Sequence, residues 1–230
     1  MRRALEAGLR EAGQSLSPAQ VERLCRFGEL VVEKNRVMNL TAITEPQAVA
    51  QLHLLDSLTV LRAADCRGKT ILDVGCGAGF PGVPVAIAEP TARVTLLDSL
   101  QKRMNWLRET LPEVGVEAEV VSARAEEYIE GHREGFDLVT SRAVARLNIL
   151  CELCLPYVKV GGCFLALKGA MTGEEVEEAS RAIAALGGCV REIAQYPIAD
   201  ALHRVVIIEK QKPTPKQYPR KFAQIKKSPL

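Results

Sequence analysis

The residues with the clearest chemical potential stand together in Ile71-Leu72-Asp73-Val74-Gly75-Cys76-Gly77-Ala78-Gly79. An apolar stretch runs into glycines at alternate positions. Glycine allows a tight turn there, and it lets a ligand approach the main chain without a Cβ in the way. Such a ligand lies beyond the carboxyl ends of the strands, where Rossmann-type sheets take nucleotides. Dinucleotide folds space their glycines G-x-G-x-x-G, and the third would fall on Phe80. The G-x-G-x-G spacing of Gly75, Gly77 and Gly79, with Asp73 ahead of it, points instead to S-adenosylmethionine. That cofactor has an amino-acid end with a positive ammonium, which Asp73 is expected to help hold, directly or through water. Asp98 follows Gly79 by 19 residues and ends the next apolar stretch, where a carboxylate accepts from both ribose hydroxyls. NAD would want the same acid, so Asp98 indicates a ribose and not which cofactor carries it.

Those residues need a parallel sheet to place them, and the chain from Cys66 onward has its texture. Strands are predicted at 70–74, 93–98, 117–121, 136–140 and 163–167, with helices between them. Thr172-Gly173-Glu174-Glu175 is expected to cap one of those helices. Two last strands, near 190–196 and 204–209, are close enough in sequence to form an antiparallel hairpin at the sheet edge. This is the strand count of the class I methyltransferase fold: α/β, Rossmann-like, a mostly parallel sheet with a C-terminal antiparallel hairpin. Residues 1–64 read as an N-terminal helical extension. One helix opens at Ser17-Pro18, and another opens at a capping box, Thr44-Glu45-Pro46-Gln47, with Val49, Leu52, Leu55 and Leu58 on one face. Residues 65–209 then form the methyltransferase core and 210–230 a basic tail, with one structural domain overall.

Composition agrees with a globular enzyme: 47% hydrophobic, 25% charged, and no apolar run long enough for a membrane span. The start lacks the apolar stretch of a signal peptide, so a cytoplasmic protein is expected, with no membrane partner. Cys151-x-x-Cys154 has metal or redox spacing, but no second pair or spaced histidines complete a zinc site, and both cysteines are expected in the core. No metal is expected. The net charge of +2 is unevenly spread. Residues 210–230 carry seven cations and no acid, which leaves −5 on the rest. With Pro213, Pro215, Pro219 and Pro229 in it, this tail is expected to stay extended or mobile until it meets a polyanion.

Several segments resemble the RsmG family, the bacterial 16S rRNA guanine-N7 methyltransferases once called glucose-inhibited division protein B. The resemblance runs through 35–41 (Asn-Arg-Val-Met-Asn-Leu-Thr), His53-Leu54-Leu55-Asp56-Ser57, the glycine loop with Phe80-Pro81-Gly82, 97–103, Ser141-Arg142-Ala143, Lys168-Gly169 and Tyr218-Pro219-Arg220-Lys221. Cys76 departs from the Thr or Ser usual there. The resemblance implies that Gly75, Phe80, Ala125, Glu126 and Arg142 line the cofactor pocket. Phe80 would form an apolar wall, and Ala125-Glu126 would read the adenine edge. Arg142, at the end of the fourth strand, would orient either the cofactor carboxylate or the guanine. His53 and Asp56, three apart on a helix, would face the pocket, with His53 a candidate catalytic residue. Arg36, Lys102, Arg103, Arg146, Lys168, Lys216, Arg220 and Lys221 are expected to meet RNA phosphate. The partner implied is 16S rRNA or the small ribosomal subunit, acted on by a monomer.

Guanine N7 carries a lone pair and no proton, so its methylation needs positioning and no general base. The chain fits by what it lacks. There is no Asn/Asp-Pro-Pro-aromatic motif after the fourth strand, where Ser141-Arg142-Ala143-Val144 stands, and no Pro-Cys nucleophile. Three other readings remain open on the residues alone. They are a methyltransferase of a small molecule or protein, a non-catalytic RNA-binding assembly factor, and a dehydrogenase, which the glycine spacing disfavours.

Overall fold

The computed structural model of the protein describes residues 1–169 and 172–230. The N-terminal extension begins with α1 (Arg2–Glu11) and α2 (Pro18–Asn35). Ser17 and Gln20 form a reciprocal capping box at the start of α2, as the sequence predicts. α3 (Pro46–Val49) starts one residue later than its expected box: its cap is Glu45, whose carboxylate accepts from the Ala48 N–H at 2.7 Å. The helical run continues through a π-turn at Ala50–Leu55 into α4 (Asp56–Leu58) and α5 (Val60–Ala63). A π-turn holds an extra residue and rotates the helix face beyond it. Leu52, expected on the inner face, is therefore only half-buried, while Leu54 is buried with Val49, Leu55 and Leu58.

The rest alternates as expected: β1 (Thr70–Val74), α6 (Gly82–Ala88), β2 (Arg93–Asp98), α7 (Gln101–Thr110), β3 (Glu119–Ser122), α8 (Ala125–Tyr128), β4 (Phe136–Arg142), α9 (Leu147–Cys154), β5 (Val158–Lys168) and α10 (Thr172–Ala185). The chain ends with β6 (Gly188–Ile198), β7 (Ala201–Lys210) and α11 (Phe222–Lys227). The seven strands lie in the order β3-β2-β1-β4-β5-β7-β6. The first five run parallel, while β7 pairs antiparallel with both β5 and β6. β3 starts two residues later than predicted, and β5, β6 and β7 are longer than predicted. The chain winds outward from β1 to β3 and then returns to β4. The crevice of such a sheet opens beyond the carboxyl ends of β1 and β4, at this reversal.

Each face of the sheet has its own core. One joins the N-terminal helices to α6 and α7 through residues such as Leu24, Phe27, Leu54, Val83 and Leu107. The other is formed by α9, α10 and the chain after β7, with Leu150, Cys151, Cys154, Phe164, Ile183 and Ile225. Cys151 and Cys154 are fully buried core thiols, as expected, and burial raises the pKa of both.

The C-terminal tail departs from expectation: it is packed. Lys210 is fully buried, and its ammonium donates to the carbonyls of Leu155 and Val158 at 2.7 and 3.2 Å. Thr214 bonds Glu134 and the Leu186 carbonyl. The Arg133 guanidinium donates to the Tyr218 carbonyl. Arg220 donates from its backbone N–H, Nε and Nη2 to Glu152, a carboxylate with no exposed surface. Charge count suggests a solvated tail because it cannot register that one buried acid on α9 needs a cation. Arg220→Ala would strand that carboxylate, a loss of about 3–5 kcal/mol. Glu152→Gln, which still accepts from Arg220, is expected to lose less; urea unfolding of the two variants measures the difference.

Candidate active site

The turn after β1 is built from its backbone. Gly75 and Cys76 donate to the Leu97 carbonyl of β2 at 2.8 and 3.1 Å. Gly77 donates to Asp98 Oδ2 at 3.0 Å, and Leu100 donates to Asp98 Oδ1 at 2.9 Å. Each Asp98 oxygen thus has one fixed backbone donor and lone-pair capacity left over. Gly75 and Gly77 have φ of 71° and 57°, the left-handed region that side chains avoid. A Cβ on Gly75 would also lie 2.4 Å from Val144 Cγ2. Gly79, with φ of 95°, also serves packing: a Cβ there would press on Val83, Leu107 and Phe27.

Around this turn lies a cavity of about 540 Å³. Of the expected cofactor residues, Gly75, Gly77, Phe80, Asp98, Ala125, Glu126 and Arg142 line it, and Asp73 and Gly79 do not. Asp73 stands apart from that lining. It is fully buried under the loop, where Oδ2 accepts from the Gly82 N–H at 2.8 Å and Oδ1 from the Thr140 hydroxyl at 3.2 Å. It ties β1 to the start of α6 and to β4. Burial pushes its pKa up to about 7 against those two hydrogen bonds.

Arg142 closes the cavity at the end of β4. Nη1 donates to the Leu52 carbonyl and to Asp56 Oδ2, both at 2.9 Å, and Nη2 donates to His53 Nδ1 at 3.1 Å. Asp56 Oδ1 takes a 2.7 Å bond from His203 on β7. Burial alone would raise the Asp56 carboxyl, but the bonds and charges of His203 and Arg142 outweigh it and hold its pKa below the usual range. His53 Nδ1 also lies 3.1 Å from the Leu52 carbonyl, so it either accepts from Arg142 or, as an N–H, donates to Leu52. Nε2 is 2.7 Å from the Thr41 hydroxyl, which serves as donor or acceptor to match. The His53 ring stacks on Phe80 with centroids 4.7 Å apart. Burial, then the Arg142 charge, lowers the His53 pKa to about 4, so the ring is neutral. In either form both ring nitrogens have protein partners, and the ring packs beside Arg142.

The opposite wall holds residues that the sequence pattern does not reveal. Leu153 of α9 and Phe222 of α11 line the cavity with Ala123, Arg124 and Ala125, and Thr41 lines the side near His53. Thr41 had a signal, since the Asn35 side chain accepts from the Leu40 and Thr41 N–H groups and pins the turn between. Phe222 had none, because nothing in its local pattern says that the tail folds back.

The expected RNA contacts divide. Arg36, Lys102, Lys216 and Lys221 are exposed. Arg103 lines the cavity and donates to the Asn39 carbonyl at 3.2 Å. Arg146 is exposed and paired with Glu178 on α10. Lys168 is enclosed: its side chain is only 9% exposed, and it bonds Glu175 at 2.6 Å and the Ala145 carbonyl at 2.8 Å. Together with Arg220 on Glu152, it is spent on internal structure, bracing the segment after β4. Among the described residues no His/Cys/Asp/Glu group could hold a metal, and no helix is long and apolar enough to cross a membrane.

Comparison with known proteins gives a family. The model described as GidB, rRNA small subunit methyltransferase G, matches residues 20–201. The ribosomal RNA small subunit methyltransferase G of Alkaliphilus metalliredigens is 44% identical, over 98% of this chain and 97% of its own. That of Bacillus thuringiensis is 44% identical over 96% and 95%. Among solved structures, a precorrin-6y C5,15-methyltransferase from Geobacter metallireducens superposes with TM-score 0.54 at 15% identity, covering 68% of this chain and 87% of its own. TrmN from Thermus thermophilus gives 0.54 at 22%, covering 68% and 48%. At such identities these two establish a shared fold, that of the class I methyltransferases.

This geometry carries two expected outcomes. Asp73→Asn keeps an acceptor for Gly82 and a partner for Thr140, so it should hold its stability and its affinity for S-adenosylhomocysteine in calorimetry. Asp73→Ala strands both donors and should cost about 1–3 kcal/mol in unfolding. A collapse of ligand affinity in the folded Asp73→Asn variant would instead put the acid on the ligand. For His53, the unfolded chain takes up a proton near pH 6.5 and the folded chain only near 4. Its contribution to stability is therefore complete above about pH 7 and lost as pH falls toward 4, by up to about 3 kcal/mol. Urea unfolding from pH 7.5 to 4.5 should show a shallower decline in His53→Gln than in the parent.

Proposed function

The chain belongs to the GidB family, rRNA small subunit methyltransferase G, and from that premise we propose that it moves the methyl of S-adenosylmethionine to N7 of a guanine in 16S rRNA. The observation that carries the reading is where the carboxylates of the cavity lie. Asp98 ends β2 and Glu126 follows β3 on α8, with Arg103 and Arg124 near them, while the end of β4 offers Arg142.

That arrangement suits S-adenosylmethionine. About 540 Å³ is within the ordinary range for a small-ligand site. The remaining lone pairs of Asp98 take ribose hydroxyls, Gly75 and Gly77 leave the main chain open to close approach, and Glu126 with the Ala125 backbone faces the adenine edge. Arg142 meets the cofactor carboxylate or guanine O6 through the N–H groups that Asp56, Leu52 and His53 leave over. When bound, the cofactor supplies an electrophilic methyl on a sulfonium.

The protein then has to hold a guanine in line with that methyl and keep water out. The N7 lone pair attacks directly, and no proton has to leave. The neutral His53, with a protein partner at each ring nitrogen, is consistent with a reaction that asks for no base. Phe80, stacked on the His53 ring and with the Arg142 guanidinium 5.1 Å from its centroid, supplies the apolar side of this end. Exposed Arg36, Lys102, Lys216 and Lys221 remain for phosphate contacts, with affinity that falls as salt rises.

The test is to incubate the purified protein and labelled cofactor with small subunits or 16S rRNA lacking the modification. N7 methylation puts positive charge on guanine and opens the site to reductive strand scission, so the modified position can be mapped. One scission site at a guanine is expected. Methyl transfer to another base or atom, or to protein, would refute the substrate. Arg142→Ala should lower turnover on the order of 10²-fold, and Arg142→Lys should rescue it poorly because the planar fork is lost.

A further inference from the structure

We propose that the C-terminal strap completes the nucleoside end of the cavity, with Phe222 as the wall against the adenine ring and the Arg220–Glu152 pair as the clamp that sets it. The proposal rests on the cofactor reading above and adds to it a segment that charge alone would assign to RNA.

Phe222 stands between two anchors. Two residues before it, Arg220 is held by three hydrogen bonds to the fully buried Glu152 of α9. Three residues after it, Ile225 is itself fully buried in the core of that face. Phe222 and Ile225 share one side of α11, while Lys221, Lys226 and Lys227 are exposed. The short helix therefore has an inner apolar side and an outer basic one, and the inner side reaches the cavity.

The companions of Phe222 identify which end it walls. Phe222, Ala123 and Ala125 pack on the same core, which includes Leu97 and Leu153, and all five line the cavity. Leu97 precedes Asp98 on β2, and Ala123 and Ala125 follow β3. Phe80 and His53, beside Arg142, belong to the other end and the other face of the sheet. An apolar floor next to a ribose-binding acid and a carboxylate fits a flat heteroaromatic ring, and an aromatic wall adds stacking to burial. RNA bases also stack on aromatics. However, Phe222 is half-buried among floor residues, while the exposed cations of the strap face away from them.

The experiment uses the full-length chain in calorimetry with S-adenosylhomocysteine and, separately, adenosine. The parent should bind both. Phe222→Ala should weaken both roughly five- to tenfold, Phe222→Tyr should retain affinity, and a Lys226→Gln/Lys227→Gln pair should leave it unchanged. In turnover, Phe222→Ala should raise KM for S-adenosylmethionine and keep kcat at saturation, the signature of binding lost equally from ground and transition states. Unfolding midpoints establish that the variants are folded. Parent-like affinity in Phe222→Ala, or a loss confined to rRNA affinity, would overturn the proposal while leaving the cofactor reading intact. A parent that binds neither ligand would overturn both.

Discussion

A single guanidinium has to be satisfied at the bottom of this cavity. Arg142 and Asp56 keep only 14% and 10% of their side-chain surface exposed. A pair so enclosed is tolerable only when its remaining donors and acceptors are also met. Here the partners come from three places in the chain: Leu52, His53 and Asp56 from the helical run of the extension, His203 from β7, and Arg142 from β4. The N-terminal extension is therefore part of the site. Without it the sheet would present an unpartnered cation at the point where ligands enter. The π-turn at Ala50–Leu55 lies where the extension meets Arg142, as π-bulges often do at functional sites.

The same dependence holds on the opposite face. A doubly wound sheet supplies strand ends and the turns beyond them, which give a floor and one rim. Additions to the core finish the walls. Thr41 comes from a turn pinned by Asn35, and Phe222 from a strap pinned by Glu152. Each pin is one buried or half-buried side chain accepting from backbone N–H groups, a short-range device that fixes a loop without a second core. Lys168 and Glu175 do the same for the segment after β4: the Glu175 carboxylate also accepts from the Leu147 N–H at 2.8 Å.

The features legible in the sequence are those that are periodic or conformationally demanding. Alternating strands and helices give the parallel sheet, Gly75 and Gly77 mark the turn, and Asp98 marks the strand end that meets it. Family resemblance adds Phe80, Ala125, Glu126 and Arg142, all of which line the cavity. The features that are not legible depend on tertiary pairing. The phase of residues 50–58 is set by a π-turn for which no local signal exists, so a regular helix misplaces Leu52 on the inner face. Asp73 resembles a ligand acid because it precedes the glycines. Its actual partners, Gly82 and Thr140, are 9 and 67 residues away. Lys168 and Arg220 resemble phosphate contacts because charge on a terminus or a strand end is usually solvated, and their acids lie on helices 7 and 68 residues distant.

Cations line the cavity at both ends, Arg103 and Arg124 near the acids and Arg142 at β4, but its carboxylates lie at one end, and that bears on the chemistry. Asp98 and Glu126, the carboxylates that line it, sit at the β2–β3 end. At the β4 end, both oxygens of Asp56 are occupied by Arg142 and His203, Asp73 is buried beneath the loop, and His53 is neutral with a protein partner at each ring nitrogen. A target that had to lose a proton during transfer would find no free acceptor among these groups. A target that attacks through a lone pair needs only what this end offers: an apolar ring, a fixed planar donor and exclusion of water. That match between what the acceptor atom requires and what the β4 end supplies is a physical reason to prefer an unprotonated ring nitrogen over an amino group or a carbon as the methyl acceptor.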